Sequence, residues 1–243
     1  MNNAIPIFNY HKITPRNFNN ALQNDPYTIF LEDFEAQLQL IKDLNFRVIN
    51  LNELVACLYK QTPLPKNALA ITFDDGYQTD YQFAAPALQK MNFTATFFLA
   101  LMNLDRKTRW FEYEQLLQQG FAVGSHTVNH PNLTKMPPDQ AQNELKQSKQ
   151  TIENHLNAQI DHFALPYGLF NEKIIEIAKK TGYQSVSNTQ FGFNNINTSP
   201  FYLKRWNIKK STSLQEIKNV LTQKPLELYK KQILYTIKNT FFK

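Results

Sequence analysis

The stretch "ITFDDGYQTD" (residues 71–80) joins a strand-forming run to two adjacent aspartates and a glycine. The run from Ile71 to Phe73 has the β-branched and aromatic residues of a buried strand. Asp74 and Asp75 follow it directly, although two neighbouring carboxylates repel each other and resist burial. Such a pair needs a cation, a proton or solvent, so we expect a functional site where this strand ends.

Strand-like and helix-like segments alternate along the rest of the chain. Short apolar or β-branched runs indicate strands at residues 4–10, 46–50, 68–73, 94–100, 121–125, 162–167, 183–187 and 201–208. Apolar residues at helical spacing indicate helices at 33–44, 80–91, 138–156 and 171–182. This alternation predicts an α/β fold with a mostly parallel sheet, and the strand number favours a distorted (β/α) barrel of about seven strands.

Length and composition favour one folded domain. A chain of 243 residues fits a single α/β barrel, and its 19 Phe and 11 Tyr can fill a large core. We predict a single domain over residues 1–243, with 211–243 as a C-terminal helical extension. The segment 225–243 is amphipathic and basic, as in a helix that packs on the domain or contacts a membrane. The Asn-rich stretch 187–200 predicts a long loop.

The net charge and the search for targeting segments limit the partners and the cellular location that we expect. A net charge of +6 favours anionic partners without choosing among nucleic acid, acidic lipid and anionic glycan. The sequence lacks the usual nucleic-acid motifs, so we expect no nucleic acid partner. The single cysteine, Cys57, excludes an internal disulfide. No signal peptide or membrane span is evident, which predicts a cytoplasmic protein that its C-terminal helix could hold at the inner membrane face.

A second motif, "GSHTVNHPNL", contains two histidines four residues apart. On one helical turn, His126 and His130 would lie about 5–6 Å apart at Cβ, close enough to share a metal ion. An ion bound by two imidazoles and one carboxylate keeps open positions, as catalytic sites do. One aspartate of the adjacent pair could then be a ligand, while the other takes a proton from the water that the ion activates.

The segments "TFDDG", "SHTVNH" and "LPYG" resemble, in order, the first three motifs of the polysaccharide deacetylases of carbohydrate esterase family 4. The resemblance covers roughly residues 4–210. It implies a distorted β/α barrel and a divalent metal, often Zn²⁺, that promotes removal of acetyl groups from N-acetylated sugars. It also implies that Asp74 is the base and that Asp75, His126 and His130 are the metal ligands.

Further site residues follow from the same resemblance. The backbone amide of Tyr167 is expected to help hold the oxyanion. The segment "FNYHKI" resembles the opening motif of one bacterial branch, which makes His11 either a catalytic residue or a histidine that hydrogen-bonds the barrel end. We expect Trp206, Arg205 and Pro166 to contact the substrate, with packing at the rim as the alternative for the tryptophan.

The chain departs from the family pattern at two places. Ala164 stands where the family commonly has an arginine that pairs with the base, and Arg205 is a candidate replacement. The last strand, "LKRWNI", lacks the histidine that usually serves as general acid.

The sequence predicts a metal-dependent hydrolase that removes an acetyl group, chiefly N-linked, from a carbohydrate or a lipid-linked sugar. A catalytically silent sugar-binding protein that keeps the metal and an O-acetyl esterase remain as alternatives.

Overall fold

The computed structural model describes residues 4–18, 24–104 and 107–223. Its strands are β1 (Ile7–Tyr10), β2 (Lys12–Thr14), β3 (Thr28–Phe30), β4 (Arg47–Ile49), β5 (Ala68–Phe73), β6 (Thr96–Leu99), β7 (Ala122–Ser125), β8 (His162–Ala164), β9 (Ser185–Ser187) and β10 (Trp206–Asn207). Its α-helices are α1 (Leu31–Asp43), α2 (Leu51–Lys60), α3 (Ala85–Lys90), α4 (Lys107–Gln118), α5 (Pro138–Leu156), α6 (Glu172–Thr181) and α7 (Leu214–Leu221).

The main sheet is parallel and curled. Its strand order is β10-β1-β5-β6-β7-β8-β9, and β4 pairs with the first half of β5. One short segment, residues 203–206, connects the two edges of this sheet. Its Leu203 forms a parallel bridge to Ser187 of β9, and its Trp206 pairs with Phe8 of β1. Strands β2 and β3 form a separate parallel pair. The structure thus confirms the predicted α/β class and its barrel-like parallel sheet.

All eight predicted strands are present, β5 with the predicted bounds and the other seven with shorter ones, whereas β2 and β3 were not predicted. Each of these two strands has three residues, too few for a period-2 pattern to be recognised. Helix α7 lies within the predicted extension 211–243, and the amphipathic segment 225–243 lies outside the described residues. Within the described ranges, no helix is both long and apolar enough to cross a membrane.

Local sequence signals define where several helices begin. The side chains of Asn50 and Asn171 each accept the backbone N–H three residues later, at the starts of α2 and α6. Ser213 and Glu216 form a reciprocal capping box at the start of α7. These caps satisfy N–H groups that have no partner inside the helix, so each helix begins at a residue that the sequence specifies.

The sheet is buried on both faces, as expected when helices cover parallel strands. All six residues of β5 are buried. The rings of Tyr10, Phe73 and Phe97 stack in series across three strands, with centroids 5.4 and 4.9 Å apart. This packed sheet fixes the points from which the site residues leave their strands.

The contact between β6 and β7 leaves no room for a side chain at Gly124. A Cβ there would lie 2.5 Å from ring carbons of Phe98 and 2.9 Å from the carbonyl oxygen of His162. We expect Gly124→Ala to lower the free energy of unfolding by about 1–3 kcal/mol, measured by chemical denaturation. Combining it with Phe98→Leu, which shortens the opposing side chain, should cost less than the sum of the two single changes. Additive losses would contradict this packing.

Candidate metal centre

The predicted site residues leave the carboxyl ends of neighbouring strands. Asp74 and Asp75 follow β5, His126 follows β7 and Tyr167 follows β8. Because these strands are parallel, their ends meet at the same side of the sheet, where β/α barrels carry their chemistry. The structure therefore brings together residues that lie far apart in the sequence.

These residues surround a pocket of about 310 Å³. It is lined by His11, Lys12, Asp25, Tyr27, Asp74, Asp75, Tyr77, His126, His130, Leu165, Tyr167, Gly168, Thr189 and Asn207. A second pocket of about 490 Å³ shares four of these residues and extends along β10 to α7. The site thus opens into a longer groove with aromatic, hydroxyl and amide side chains.

Asp75, His126 and His130 form a compact set of candidate metal ligands. Asp75 Oδ1 lies 3.5 Å from Nε2 of each histidine, and the three ligand atoms lie within 4.8 Å of one another. Ligand atoms about 2.1 Å from a tetrahedrally coordinated ion are separated by about 3.4 Å. The three residues therefore fit one ion and leave its remaining coordination positions open.

Both histidines are prepared to bind a cation. His126 donates its Nδ1–H to the carbonyl oxygen of Ala164 at 2.8 Å, which orients the ring with Nε2 toward Asp75. Burial, reinforced by His126, lowers the pKa of His130 below its ordinary value, so the His130 imidazole is neutral at pH 7. Neutral imidazole is the form that ligates metal.

The loop that carries both histidines is anchored by a residue that the sequence did not reveal. Glu144 of α5 accepts the backbone N–H groups of Val128 and Asn129 at 2.9 and 3.0 Å, and the Asn129 side chain at 2.7 Å. Thr127 Oγ1 accepts the N–H of His130 at 3.0 Å. No sequence motif distinguishes Glu144 from the other acidic residues of this amphipathic helix.

Asp74 is not a member of the ligand set and forms a buried ion pair. Arg205 binds both of its carboxylate oxygens, at 2.7 and 2.8 Å, and Asn9 donates to Oδ2 at 3.0 Å. Burial raises the pKa of Asp74, but the charge and hydrogen bonds of Arg205, together with His126 and His11, outweigh burial, so the carboxyl stays ionised with a pKa well below its usual range. Arg205 therefore occupies the role that Ala164 cannot fill.

Asn9 completes this arrangement and was not identified from the sequence. Its Oδ1 accepts from Arg205 Nη1 and from Thr72 Oγ1, each at 2.8 Å, while its amide donates to Asp74. An amide within the apolar strand "IFNY" was the available signal, because a buried polar side chain needs partners.

His11 lines the pocket beside both aspartates. Its ring packs against Tyr27 with centroids 4.6 Å apart, and its Nδ1 is buried without a hydrogen-bond partner among the described residues. Burial lowers the pKa of His11, against the opposing effect of Asp74 and Asp75. Such an orphaned polar atom at a pocket is consistent with a group that acts on a ligand.

Tyr167 lies in a strained turn at the pocket mouth. Its backbone has φ 59°, in the left-handed region that bulky residues rarely adopt. Its ring contacts the His130 ring edge-on with centroids 4.7 Å apart, and 62% of the residue is exposed. The turn is closed by the N–H of Gly168, which donates to Leu165 O at 2.8 Å.

Comparison with known proteins decides the family. The family model "Polysaccharide deacetylase" matches residues 61–186, more than half of the chain. The chain belongs to the polysaccharide deacetylase family. "Putative polysaccharide deacetylase YxkH" of Bacillus subtilis (strain 168) is 30% identical over 190 residues, covering 77% of this chain and 65% of that protein. The chain thus spans slightly less than two thirds of this relative's length.

Two further relatives support the same family. The poly-beta-1,6-N-acetyl-D-glucosamine N-deacetylase of Staphylococcus aureus (strain MRSA252) is 26% identical, covering 84% of this chain and 78% of that protein. The structure of the Streptococcus pyogenes deacetylase PplD in complex with acetate superposes with a TM-score of 0.82 at 25% identity, covering 91% of this chain and 99% of the other.

In this deacetylase-family fold, the three expected substrate contacts are buried. Arg205 has no exposed side-chain area and serves Asp74, and Pro166 is buried beneath its turn. Trp206 is 4% exposed, packs against Phe191 and Phe193 and donates its indole N–H to Gly192 O at 2.5 Å. Arg205 and Trp206 also line the adjoining pocket, and contact of the three residues with a substrate stays a prediction.

The Asp74–Arg205 pair generates a stability prediction. We expect Arg205→Gln to cost about 3–5 kcal/mol at neutral pH, because it leaves a buried charge uncompensated. The depressed pKa of Asp74 contributes stability above its ordinary value of 3.8, and this contribution is lost as pH falls through the lowered folded value. The cost of Arg205→Gln should therefore be smaller near pH 4, where Asp74 of the variant is protonated.

Chemical denaturation at both pH values provides the measurement. The double variant Asp74→Asn/Arg205→Gln is the matched control, since it removes both charges and should be more stable than Arg205→Gln alone. A loss below about 0.5 kcal/mol for Arg205→Gln, the size of an ordinary surface change, would refute a buried ion pair.

Proposed function

We propose that this chain is a metal-dependent hydrolase that removes an acetyl group, chiefly N-linked, from an acetylated carbohydrate. The observation that carries the proposal is the Asp75–His126–His130 ligand set beside a separately ion-paired Asp74. Two imidazoles and one carboxylate with open positions suit Zn²⁺ in a catalytic site, so we propose zinc as the ion.

In this proposal the two adjacent aspartates have different tasks. Asp75, His126 and His130 would hold a divalent ion, which would supply Lewis acidity to the acetyl carbonyl and to a water molecule. Asp74 takes a proton from that water as the water oxygen adds to the carbonyl carbon. Arg205 and Asn9 hold the Asp74 carboxylate in place and ionised for this task. The carbon–nitrogen bond then breaks, and acetate and the protonated amine leave.

Two other residues complete the proposed cycle. The backbone N–H of Tyr167 donates to the oxyanion that develops from the carbonyl, a type of contact commonly worth about 3 kcal/mol. His11 gives a proton to the departing nitrogen, which the missing late histidine would otherwise supply. Its place in the pocket beside Asp74 and its orphaned Nδ1 support this role.

An acetylated polysaccharide is the substrate class that the family implies. Relatives include the peptidoglycan-N-acetylglucosamine deacetylase of Bacillus cereus and the poly-beta-1,6-N-acetyl-D-glucosamine N-deacetylase of Staphylococcus aureus. We propose a polymer or lipid-linked sugar of this type, because the pocket continues into a second, larger one. A cytoplasmic location and membrane contact through residues 225–243 stay predictions.

Asp74→Asn and His126→Ala should separate the base from the ligands. We expect Asp74→Asn to keep stoichiometric metal and to lose about 10²- to 10⁴-fold in turnover, because it removes the proton acceptor and none of the three ligands. His126→Ala combined with His130→Ala should lose the metal itself. Metal content by elemental analysis and acetate release by the same preparations provide the comparison.

Circular dichroism of each variant serves as the folding control. Loss of metal from Asp74→Asn would make both aspartates part of the ligand set. Stoichiometric metal in the double histidine variant would refute the proposed centre.

His11→Ala should slow N-deacetylation far more than O-deacetylation, because an amine leaving group needs protonation more than an alkoxide does. His11 can donate only when protonated, so the His11-dependent part of the rate should fall as pH rises through its lowered pKa. Rates on N- and O-acetylated forms of one sugar, at equal metal content, provide the measurement. Equal slowing of both reactions would exclude His11 as the acid.

A further inference from the structure

A short turn that supplies no candidate ligand contacts both ligand-bearing loops. The 3₁₀ turn Leu101–Asn103 follows β6, which lies between β5 and β7 in the sheet. The N–H of Leu101 donates to Thr127 O at 3.1 Å, and the N–H of Met102 donates to Val128 O at 2.9 Å. The turn is thereby bonded to the loop between His126 and His130.

The same turn also binds the backbone of the aspartate ligand. Asn103 Nδ2 donates to the carbonyl oxygen of Asp75 at 2.8 Å. Asp75 has φ 80°, a left-handed conformation that a non-glycine residue adopts only when its surroundings hold it there. A donor fixed on its carbonyl restrains the peptide plane that follows the ligand.

Two side chains of α4 contact the backbone of the loop that follows Asp75. Arg109 Nη2 donates to Gly76 O at 2.7 Å, and the arginine is buried in an ion pair with Glu112. The Tyr113 hydroxyl lies 3.1 Å from Asp80 Oδ2 and 3.4 Å from Tyr77 O, so it ties together the turn from 77 to 80.

Side chains from outside the loop therefore contact three successive carbonyls, those of residues 75, 76 and 77. The packing is tight at the centre of the loop, because a Cβ on Gly76 would lie 3.3 Å from the Tyr113 hydroxyl. Of the three contacting residues, Asn103 alone lies in the turn that also binds the loop between His126 and His130. Movement of this turn would change the distance between the Asp75 carboxylate and the imidazoles of His126 and His130.

We propose that Asn103, Arg109 and Tyr113 are positioning residues for the metal centre. They touch neither ion nor substrate, and they act by holding the Asp75 backbone at the correct separation from His126 and His130. Metal ligands must be held within about 0.5 Å of the productive geometry, and strands alone do not restrain the loops that follow them so closely. This inference rests on the proposed metal centre.

The test compares Asn103→Leu, Tyr113→Phe and their double variant with the wild type. Asn103→Leu removes the contact with the Asp75 carbonyl, and Tyr113→Phe removes the contacts of one hydroxyl, each with little change in shape. Tyr183→Phe is the matched control, because the buried Tyr183 hydroxyl also donates to a backbone carbonyl, that of Leu145, at 3.0 Å. The affinity for Zn²⁺ is measured by competition with a chromophoric chelator, and the ligand field by the visible absorption of the Co²⁺-substituted protein.

We expect the double variant to bind Zn²⁺ about 10- to 100-fold more weakly, as is typical when a supporting contact of a metal site is removed. The Co²⁺ absorption should change in both single variants and stay unchanged in Tyr183→Phe. Chemical denaturation of the metal-free proteins reports any general loss of stability. Asn103 is partly exposed, so Asn103→Leu keeps the test valid if Tyr113→Phe folds poorly.

Affinities within about twofold of wild type and unchanged Co²⁺ spectra in both single variants would overturn the inference. An equal effect of Tyr183→Phe would also overturn it, because the effect would then reflect general destabilisation. A wild type that binds neither Zn²⁺ nor Co²⁺ would overturn the metal centre itself, and this inference with it.

Discussion

The ion pair between Asp74 and Arg205 is the contact on which the site depends. It joins β5, in the middle of the sheet, to the short segment that links the two ends of the sheet. Both side chains are almost fully buried, so the loss of either would leave an uncompensated charge. The pair thus holds the curled sheet together at the pocket floor and keeps one carboxylate ionised beside the ligand set.

This pairing explains how two adjacent aspartates can coexist at a strand end. Asp74 turns inward to Arg205 and Asn9, whereas the left-handed backbone of Asp75 directs its carboxylate toward His126 and His130. The two negative charges are therefore divided between two different cations, one a guanidinium and one the proposed metal ion. The left-handed backbone of Asp75 thus separates the proposed ligand, Asp75, from the proposed base, Asp74.

The sequence predicted local patterns well and distant partners poorly. The eight strands of the main sheet follow from short runs of residues, and the two histidines and the aspartate pair stand out as local motifs, whereas the choice of Asp75 as the ligand came from the family resemblance. Arg205 was only one candidate partner for Asp74, since 131 residues separate them. Glu144 carries no motif, because its function depends on where α5 packs. The burial of Trp206 depends on the loop that folds over it, which periodicity does not report.

Acetate release with and without bound metal tests the central claim most directly. The protein would be stripped with chelator, reconstituted with Zn²⁺, and assayed on N-acetylated oligosaccharides, their O-acetylated counterparts and an N-acetylated glycolipid. The account predicts acetate release by the reconstituted protein, its loss on stripping and its return with the ion. Undiminished release by the stripped protein, or no release from any substrate by the reconstituted one, would contradict the account.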